Sequence, residues 1–289
     1  MKLRHLIHPG PTQNHQPLPS SGRAGRNLPA AIAVGVSMAV VALAALFLSR
    51  PVFVLMVCVL TVVAMWELAG AYARKDYQVA LAPAWVGGIG ILISAWLLGL
   101  EAALGALCLT VFAVTVWKLI DTPSHRVVND VMVTIFVLIY VPLLASFVLL
   151  LLKSPHGVWA VFVYIALSVA NDLGGWMAGI TLGKHPMAPR ISPKKSWEGF
   201  AGSLVLSVAV GISGVWWLGG TWWWGIILAC LTTVAATTGD LVESLIKRDV
   251  GLKDMSNILP GHGGLMDRMD SLLMVAPAAY LIMRVALPW

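Results

Sequence analysis

Residues 131–152 read VMVTIFVLIYVPLLASFVLLLL, without one charged side chain. About 20 mostly apolar residues in helical form cross the hydrocarbon core of a bilayer. The run is continuous rather than alternating, which excludes a membrane β-barrel. Working outward, eight further runs of the same character occupy roughly 30–49, 52–72, 79–99, 102–119, 158–182, 199–218, 222–240 and 271–287. The sequence therefore predicts an all-α, polytopic integral membrane protein with about nine transmembrane helices. The run 102–119 is the shortest and is joined to its neighbour by almost no loop. Composition agrees: 59% of the 289 residues are hydrophobic and 11% are charged, against roughly 25% charged in a soluble domain. An ordinary soluble enzyme, a disordered chain and a secreted disulfide scaffold are all excluded. Cys58, Cys108 and Cys230 lie far apart in apolar runs without metal-ligand spacing, and are expected to be buried thiols.

Residues 1–28 are polar and rich in Pro, Gly, His and Arg, and are expected to form a disordered cytoplasmic tail. Residues 29–289 then form a single transmembrane catalytic domain. The first apolar run is too long for a signal-peptide core and has no clear small-x-small cleavage site, so it stays as the first span. If the spans alternate from a cytoplasmic N-terminus, all but three of the 19 Lys and Arg fall on the cytoplasmic side. The exceptions are Arg50, Lys153 and Arg284, the last near the end of the final span. This asymmetry predicts an N-in, C-out protein. It also accounts for the net charge of +6 without nucleic acid as a partner. Trp216, Trp217, Trp222, Trp223 and Trp224 flank the turn between spans seven and eight and read as an interfacial belt. Gly179 and Gly183 form a GxxxG pair suited to close helix packing.

The chemistry lies in two polar stretches on the predicted cytoplasmic side. Segment 240–270 holds Asp240, Glu243, Asp249, Asp254, Asp267 and Asp270, six of the 13 acids of the chain. If 239–248 is helical, Asp240, Glu243, Ser244, Lys247 and Arg248 share one face, spanning about 140°. Leu241, Val242, Leu245 and Ile246 take the other. An ordinary amphipathic extension of span eight would look similar, but Asp240 emerges straight from an apolar run, where a carboxylate is costly and a functional candidate by default. Next, three glycines surround His262 in Pro260-Gly261-His262-Gly263-Gly264. Such a turn before a helix exposes backbone N–H groups that suit an anion. Asp267 and Asp270 follow one turn apart. Carboxylates beside a phosphate-sized nest suggest Mg²⁺; the plainer alternative is a loop followed by helix-capping acids. The loop 183–198 is broken by prolines. Its Lys194, Lys195 and Ser196 can hold a phosphate, or touch anionic lipid headgroups. Asn171-Asp172 interrupts span six, and Asp172 either serves a site or pairs with a loop lysine.

These residues resemble a known family. Ser244, Lys247, Arg248, Lys253, Asp254, Leu259-Pro260-Gly261-His262-Gly263-Gly264, Asp267, Arg268 and Asp270, in this spacing, look like the signature of the phosphatidate cytidylyltransferases, the CDP-diacylglycerol synthases. Ser192-Pro193-Lys194-Lys195-Ser196, with Glu198 and Gly199, resembles a second block, in which Thr is usual at the position of Ser196. Asp172 followed by Trp176 loosely resembles an upstream acidic-aromatic block.

The resemblance implies condensation of CTP with phosphatidic acid to CDP-diacylglycerol and pyrophosphate. It implies an all-helical fold, a site on the cytoplasmic face of a prokaryotic plasma membrane, and Mg²⁺ dependence centred on Asp240 and Asp267, with Asp270 beside them and a second cation left open. Lys247 and Arg248 would clamp phosphate oxygens. Ser244, Lys194, Lys195, Ser196, His262, Gly263, Gly264 and Arg268 are expected to contact substrate. Oligomeric state is left open, a homodimer included. The rivals are an archaeol-type cytidylyltransferase, a CTP-dependent polyprenol kinase and a cation-coupled transporter. The transporter is disfavoured because no internal repeat is visible and the charges gather on one side rather than at the midplane.

Overall fold

The computed structural model describes residues 9–12, 28–121, 126–256, 258 and 263–288. Its elements in chain order are α1 (Leu28–Leu48), α2 (Arg50–Tyr72), α3 (Leu81–Leu97), α4 (Leu100–Asp121), α5 (Val127–Leu138), α6 (Leu144–Lys153), α7 (Gly157–Leu182), β1 (Pro186–Ala188), β2 (Ser192–Ser196), α8 (Trp197–Trp217), α9 (Trp222–Val250) and α10 (Met266–Ala286). Every predicted apolar run is helical. Among the described residues, seven helices are long and apolar enough to cross a membrane, the continuous stretch Val127–Lys153 counting as one. The apolar helices Gly35–Leu48 and Leu81–Leu97 are shorter.

Contacts divide the chain into two compact units. Unit 1 is Met1–Ser146 with Lys247–Arg268, and unit 2 is Phe147–Ile246 with Met269–Trp289. In unit 1, Met65, Leu68, Ile91, Leu92 and Leu138 are fully buried, whereas Val86 and Ile120 are 76% and 80% exposed. Large apolar side chains facing outward are what a lipid solvent requires. Span 127–153 contains a π-turn at Ile139–Leu143 that encloses Pro142. Proline supplies no N–H and crowds the preceding turn, and the wider turn accommodates both defects. Lys118 and Asp130 pair at 3.2 Å, with side chains 6% and 1% exposed. Asp130 also accepts the Gln78 N–H at 2.8 Å, so the buried charges are matched rather than stranded. Four residues of the expected N-terminal tail have a defined seat: the Thr12 N–H donates to Gly70 O at 3.1 Å, and the Arg74 guanidinium donates to Thr12 O at 2.6 Å.

Unit 2 is built on glycine. A Cβ at Gly174 would meet Gly202 O at 2.5 Å, and one at Gly202 would meet Ala178 Cβ at 2.3 Å. α7 and α8 thus touch backbone to backbone. α8 and α9 do the same at Gly211 and Gly225, where added Cβ atoms would come within 2.4 and 2.5 Å of the opposing carbonyls. Small residues permit this approach where lipid supplies no hydrophobic push between helices. α10 is tied in by Tyr164, whose hydroxyl donates to Leu272 O at 2.8 Å. Trp216, Trp217, Trp222 and Trp223 all stand exposed around the turn between α8 and α9, as a belt at an interface would.

The expected all-α membrane fold holds, with one small addition: β1 and β2 pair antiparallel in a hairpin, with Pro186 opposite Ser196 and Ala188 opposite Ser192. Pro186, Pro189 and Pro193 exclude a helix there, and pairing satisfies much of the remaining backbone. Two expectations need correction. Cys58 is buried, but Cys108 and Cys230 are exposed, because outward-facing positions of an apolar helix meet lipid. Finally, Glu243 is 2% exposed and Leu245 is 52% exposed. A water-facing amphipathic helix would reverse that order. In a membrane helix the polar face turns toward protein.

Candidate active site

The first centre belongs to unit 2. α9 runs unbroken past the end of its apolar segment and carries Asp240 at a half-buried position. The hairpin delivers Lys195, whose ammonium donates to Asp240 Oδ2. Both side chains are 26% exposed. The pair opens into a cleft of about 250 Å³ lined also by Asp172, Lys194, Ser196, Trp176 and Thr237. The close approach of α7 and α8 sets one wall, since Gly175, Gly179 and Gly199 line it as well. Two acids, two lysines and the hydroxyls of Ser196 and Thr237 therefore converge on one open volume.

The hairpin that presents Lys194 and Lys195 is locked at its base. Ser196 is the N-cap of α8, and its Oγ accepts the Gly199 N–H at 3.1 Å. Its hydroxyl proton remains available to a second acceptor. Glu198 reaches back to accept the N–H groups of Lys184 and His185, each at 3.2 Å. It also lies 2.6 Å from His185 Nδ1. The cap satisfies one orphan donor of α8, and Glu198 ties the entry to the hairpin at residues 184–185 back to the first turn of the same helix.

The second centre belongs to unit 1. α9 ends at Val250 because Gly251 adopts φ +72. The Leu252 N–H closes on Lys247 O at 2.7 Å, a Schellman-type stop. The chain then returns through 252–265 to the start of α10. Asp267, in the first turn of α10, accepts Lys247 Nζ at 2.7 Å on Oδ1. Its Oδ2 accepts the Met255 N–H at 2.9 Å and the Gly264 N–H at 2.7 Å. The Lys247 and Asp267 side chains are 15% and 5% exposed. Gly263 has φ +84, a backbone that favours glycine, and a Cβ there would lie 3.0 Å from Asp267 Oδ2.

Glu67 completes this centre and is absent from the expected set. It rises from α2, is 1% exposed, and accepts Ser256 Oγ–H at 2.5 Å, Leu265 N–H at 2.9 Å and Met266 N–H at 2.6 Å. Asp267 and Glu67 divide the N–H groups of residues 264–266 between them. The signal that finds Glu67 in the sequence is a lone acid inside the apolar run 52–72.

Of the other expected residues, Ser244 is half-buried one turn beyond Asp240, Arg248 is exposed, and Arg268 is half-buried at the third position of α10. Asp270 is 8% exposed and its Oδ1 accepts the Ser271 N–H at 2.8 Å. His262 lies outside the described residues. Asp172, which sequence left between two roles, lines the cleft with Asp240. Among the described residues, no three His, Cys, Asp or Glu side chains form a metal-ligand set.

Comparison with known proteins identifies the family. A sequence model of the cytidylyltransferase family matches residues 29–286. The chain belongs to the cytidylyltransferase family. A phosphatidate cytidylyltransferase of Mycobacterium bovis is 39% identical over 281 residues, covering 93% of this chain and 92% of that protein. Its counterpart in Mycobacterium leprae is 38% identical over 277 residues, covering 90% and 89%. The Bacillus subtilis phosphatidate cytidylyltransferase is 37% identical over 130 residues, covering 44% of this chain and 48% of that protein. In this member of the cytidylyltransferase family, each family-like block contributes the lysine of a lysine–aspartate pair, Lys195 to Asp240 and Lys247 to Asp267.

Proposed function

We propose that the protein condenses CTP with phosphatidic acid, releasing CDP-diacylglycerol and pyrophosphate. The observation that carries this reading is likeness to phosphatidate cytidylyltransferases over 93% of the chain. A phosphate oxygen of phosphatidate attacks the α-phosphorus of CTP. A new P–O–P bond forms, and the bond from the α-phosphorus to the bridging oxygen breaks, with pyrophosphate leaving with the electron pair. The nucleophile is already ionised at neutral pH, so no strong base is required. The barrier is repulsion between two polyanions, and the chain's task is positioning and charge neutralisation.

Lys194 and Lys195 supply two ammonium groups and Ser196 a hydroxyl to phosphate oxygens in the unit 2 cleft. Lys247, Arg248 and Arg268 supply the cations of the signature, where Arg contacts can be bidentate. Ser244 offers a hydroxyl on the same helix as Asp240, and the turn at His262, Gly263 and Gly264 contributes to substrate contact around Asp267.

The donor chemistry suits Mg²⁺, which takes one or two carboxylates and completes its shell with water and phosphate. Asp240, with Asp172 lining the same cleft, meets that requirement. Asp267, with Asp270 one turn on, is the corresponding pair of acids in the signature. Lys195 and Lys247 already place an ammonium on Asp240 and Asp267, so both carboxylates accept a cation. Bound Mg²⁺ would neutralise phosphate charge and stabilise the leaving pyrophosphate. A second cation and a homodimer are compatible with this reading.

In orientation, we infer nine spans, with α1 and α3 included, N-in and C-out, and a site facing the cytoplasm of a prokaryotic plasma membrane. The Lys and Arg asymmetry supports it. Cysteines introduced at Lys75, Lys195 or Asp254 are expected to label only from the cytoplasmic side, and one at Pro155 only from outside. Labelling of the 195 and 254 positions from outside would overturn the orientation. The reaction is tested by incubating purified protein in detergent with CTP, phosphatidate and Mg²⁺. CDP-diacylglycerol and pyrophosphate are expected, with turnover lost on chelation and restored by Mg²⁺. CDP with a phosphorylated lipid would indicate a kinase instead.

A further inference from the structure

Glu67 lies 189 residues upstream of Ser256 and outside both family-like blocks, yet three donors of the signature segment converge on its carboxylate. Two of them, the Leu265 and Met266 N–H groups, belong to the start of α10, where no intrahelical acceptor exists and the helix dipole favours an anion. A buried carboxylate is costly unless hydrogen bonds replace its water, and these three do so. The fit is tight. A Cβ at Gly264 would lie 2.9 and 3.0 Å from the two Glu67 oxygens and 3.0 Å from Asp267 Oδ2. A larger residue at 264 would have to push one of these two carboxylates aside.

The division of donors has a consequence for Asp267. Its Oδ2 takes the Gly264 and Met255 N–H groups, and its Oδ1 faces Lys247. It keeps this arrangement because Glu67 satisfies the next two N–H groups. Without Glu67, the Leu265 and Met266 donors would be orphaned beside Asp267, which is the adjacent acceptor. Its carboxylate would then turn toward them and away from Lys247. Glutamine cannot substitute: its NH₂ would oppose a backbone N–H at one of the two oxygen positions.

We propose that Glu67 is a positioning residue for cytidylyl transfer, holding Ser256 and residues 265–266 in register so that Asp267 and Lys247 stay aimed at each other. This rests on the reaction proposed above. The test compares Glu67→Gln with the wild-type chain in detergent by two measurements: amide hydrogen exchange across 253–268, and turnover per folded molecule. Exchange in that segment is expected to rise about tenfold or more, with the rest of the chain unchanged. The kcat is expected to fall roughly tenfold or more, with KM for CTP altered much less, because the lost interaction is one of aim. Ser256→Ala removes one donor and leaves two, so it should reproduce the pattern more weakly even where Glu67→Gln accumulates poorly. The double variant should be no worse than Glu67→Gln alone. A merely structural role would lower yield and thermal midpoint while leaving the kcat of folded protein intact, and that result overturns the proposal. Unchanged exchange in 253–268 overturns it too. A wild-type chain that forms no CDP-diacylglycerol overturns the reaction, and with it the catalytic role of Glu67. Normal wild-type turnover with normal Glu67→Gln turnover overturns the role of Glu67 alone.

Discussion

The two lysine–aspartate pairs look alike in sequence and differ in kind. Lys195–Asp240 stands at the mouth of an open cleft, both side chains 26% exposed, and the lysine is carried by an exposed hairpin. Lys247–Asp267 is sealed, with Asp267 only 5% exposed and two backbone N–H groups bound behind it. The same residue types are therefore set up differently: Asp240 is poised to exchange its partner, whereas Asp267 also holds a loop and a helix start together. Acidity and spacing alone do not separate these jobs; the number of donors each carboxylate already carries does.

The sharpest way to break that contrast is Asp267→Asn. It is expected to reduce turnover roughly 100-fold or more and also to lower stability by about 3 kcal/mol, because a buried ion pair loses one of its two charges. A normal thermal midpoint in detergent would show that the sealed pair is not structural. Asp240→Asn should cost turnover to a similar degree, roughly 100-fold, with the midpoint within about 0.5 kcal/mol of wild type, as for a partly exposed pair. The double variant should be hardly less active than either single one if both acids serve one step, which turnover of the three proteins side by side will decide.

Lys195→Ala and Arg248→Ala probe the cations. Each is expected to lose about 10–150-fold in kcat/KM, the range for a charge-assisted hydrogen bond fully expressed in the transition state. Near-normal values for Arg248→Ala would return the end of α9 to an ordinary surface helix. Gly202→Ala is the mildest in chemistry and tests the scaffold of the cleft. Its methyl group would collide with Ala178 Cβ at 2.3 Å, so α7 and α8 must separate, costing about 1–3 kcal/mol. Activity should fall with the Lys195–Asp240 centre while exchange in segment 253–266 stays unchanged; a rise there would mean that the two centres are not separable.

Composition and hydropathy determined that this is a helical membrane protein, because the bilayer accepts long apolar helices and very little else. Every helix lies where a long apolar run predicts one. Residues that meet in the lysine–aspartate pairs also stood out in the sequence: Asp240 by emerging from an apolar run, Lys247 by sharing its helix face, and Asp267 by following the Gly-rich turn. Three features did not. The turn at 263–264 read as a vacant nest for substrate, yet its neighbouring N–H groups are filled by Asp267 and by Glu67. Lys195 read as one of two equivalent loop lysines, yet it is the one that reaches Asp240. The hairpin at 186–196 read only as a helix-free loop. In the first two cases a deciding contact joins residues far apart in sequence, 198 residues for Glu67 and Leu265 and 45 for Lys195 and Asp240. Local periodicity reports which face of an element is polar. Which distant donor answers a given carboxylate depends on how the elements pack, and only the tertiary structure decides that.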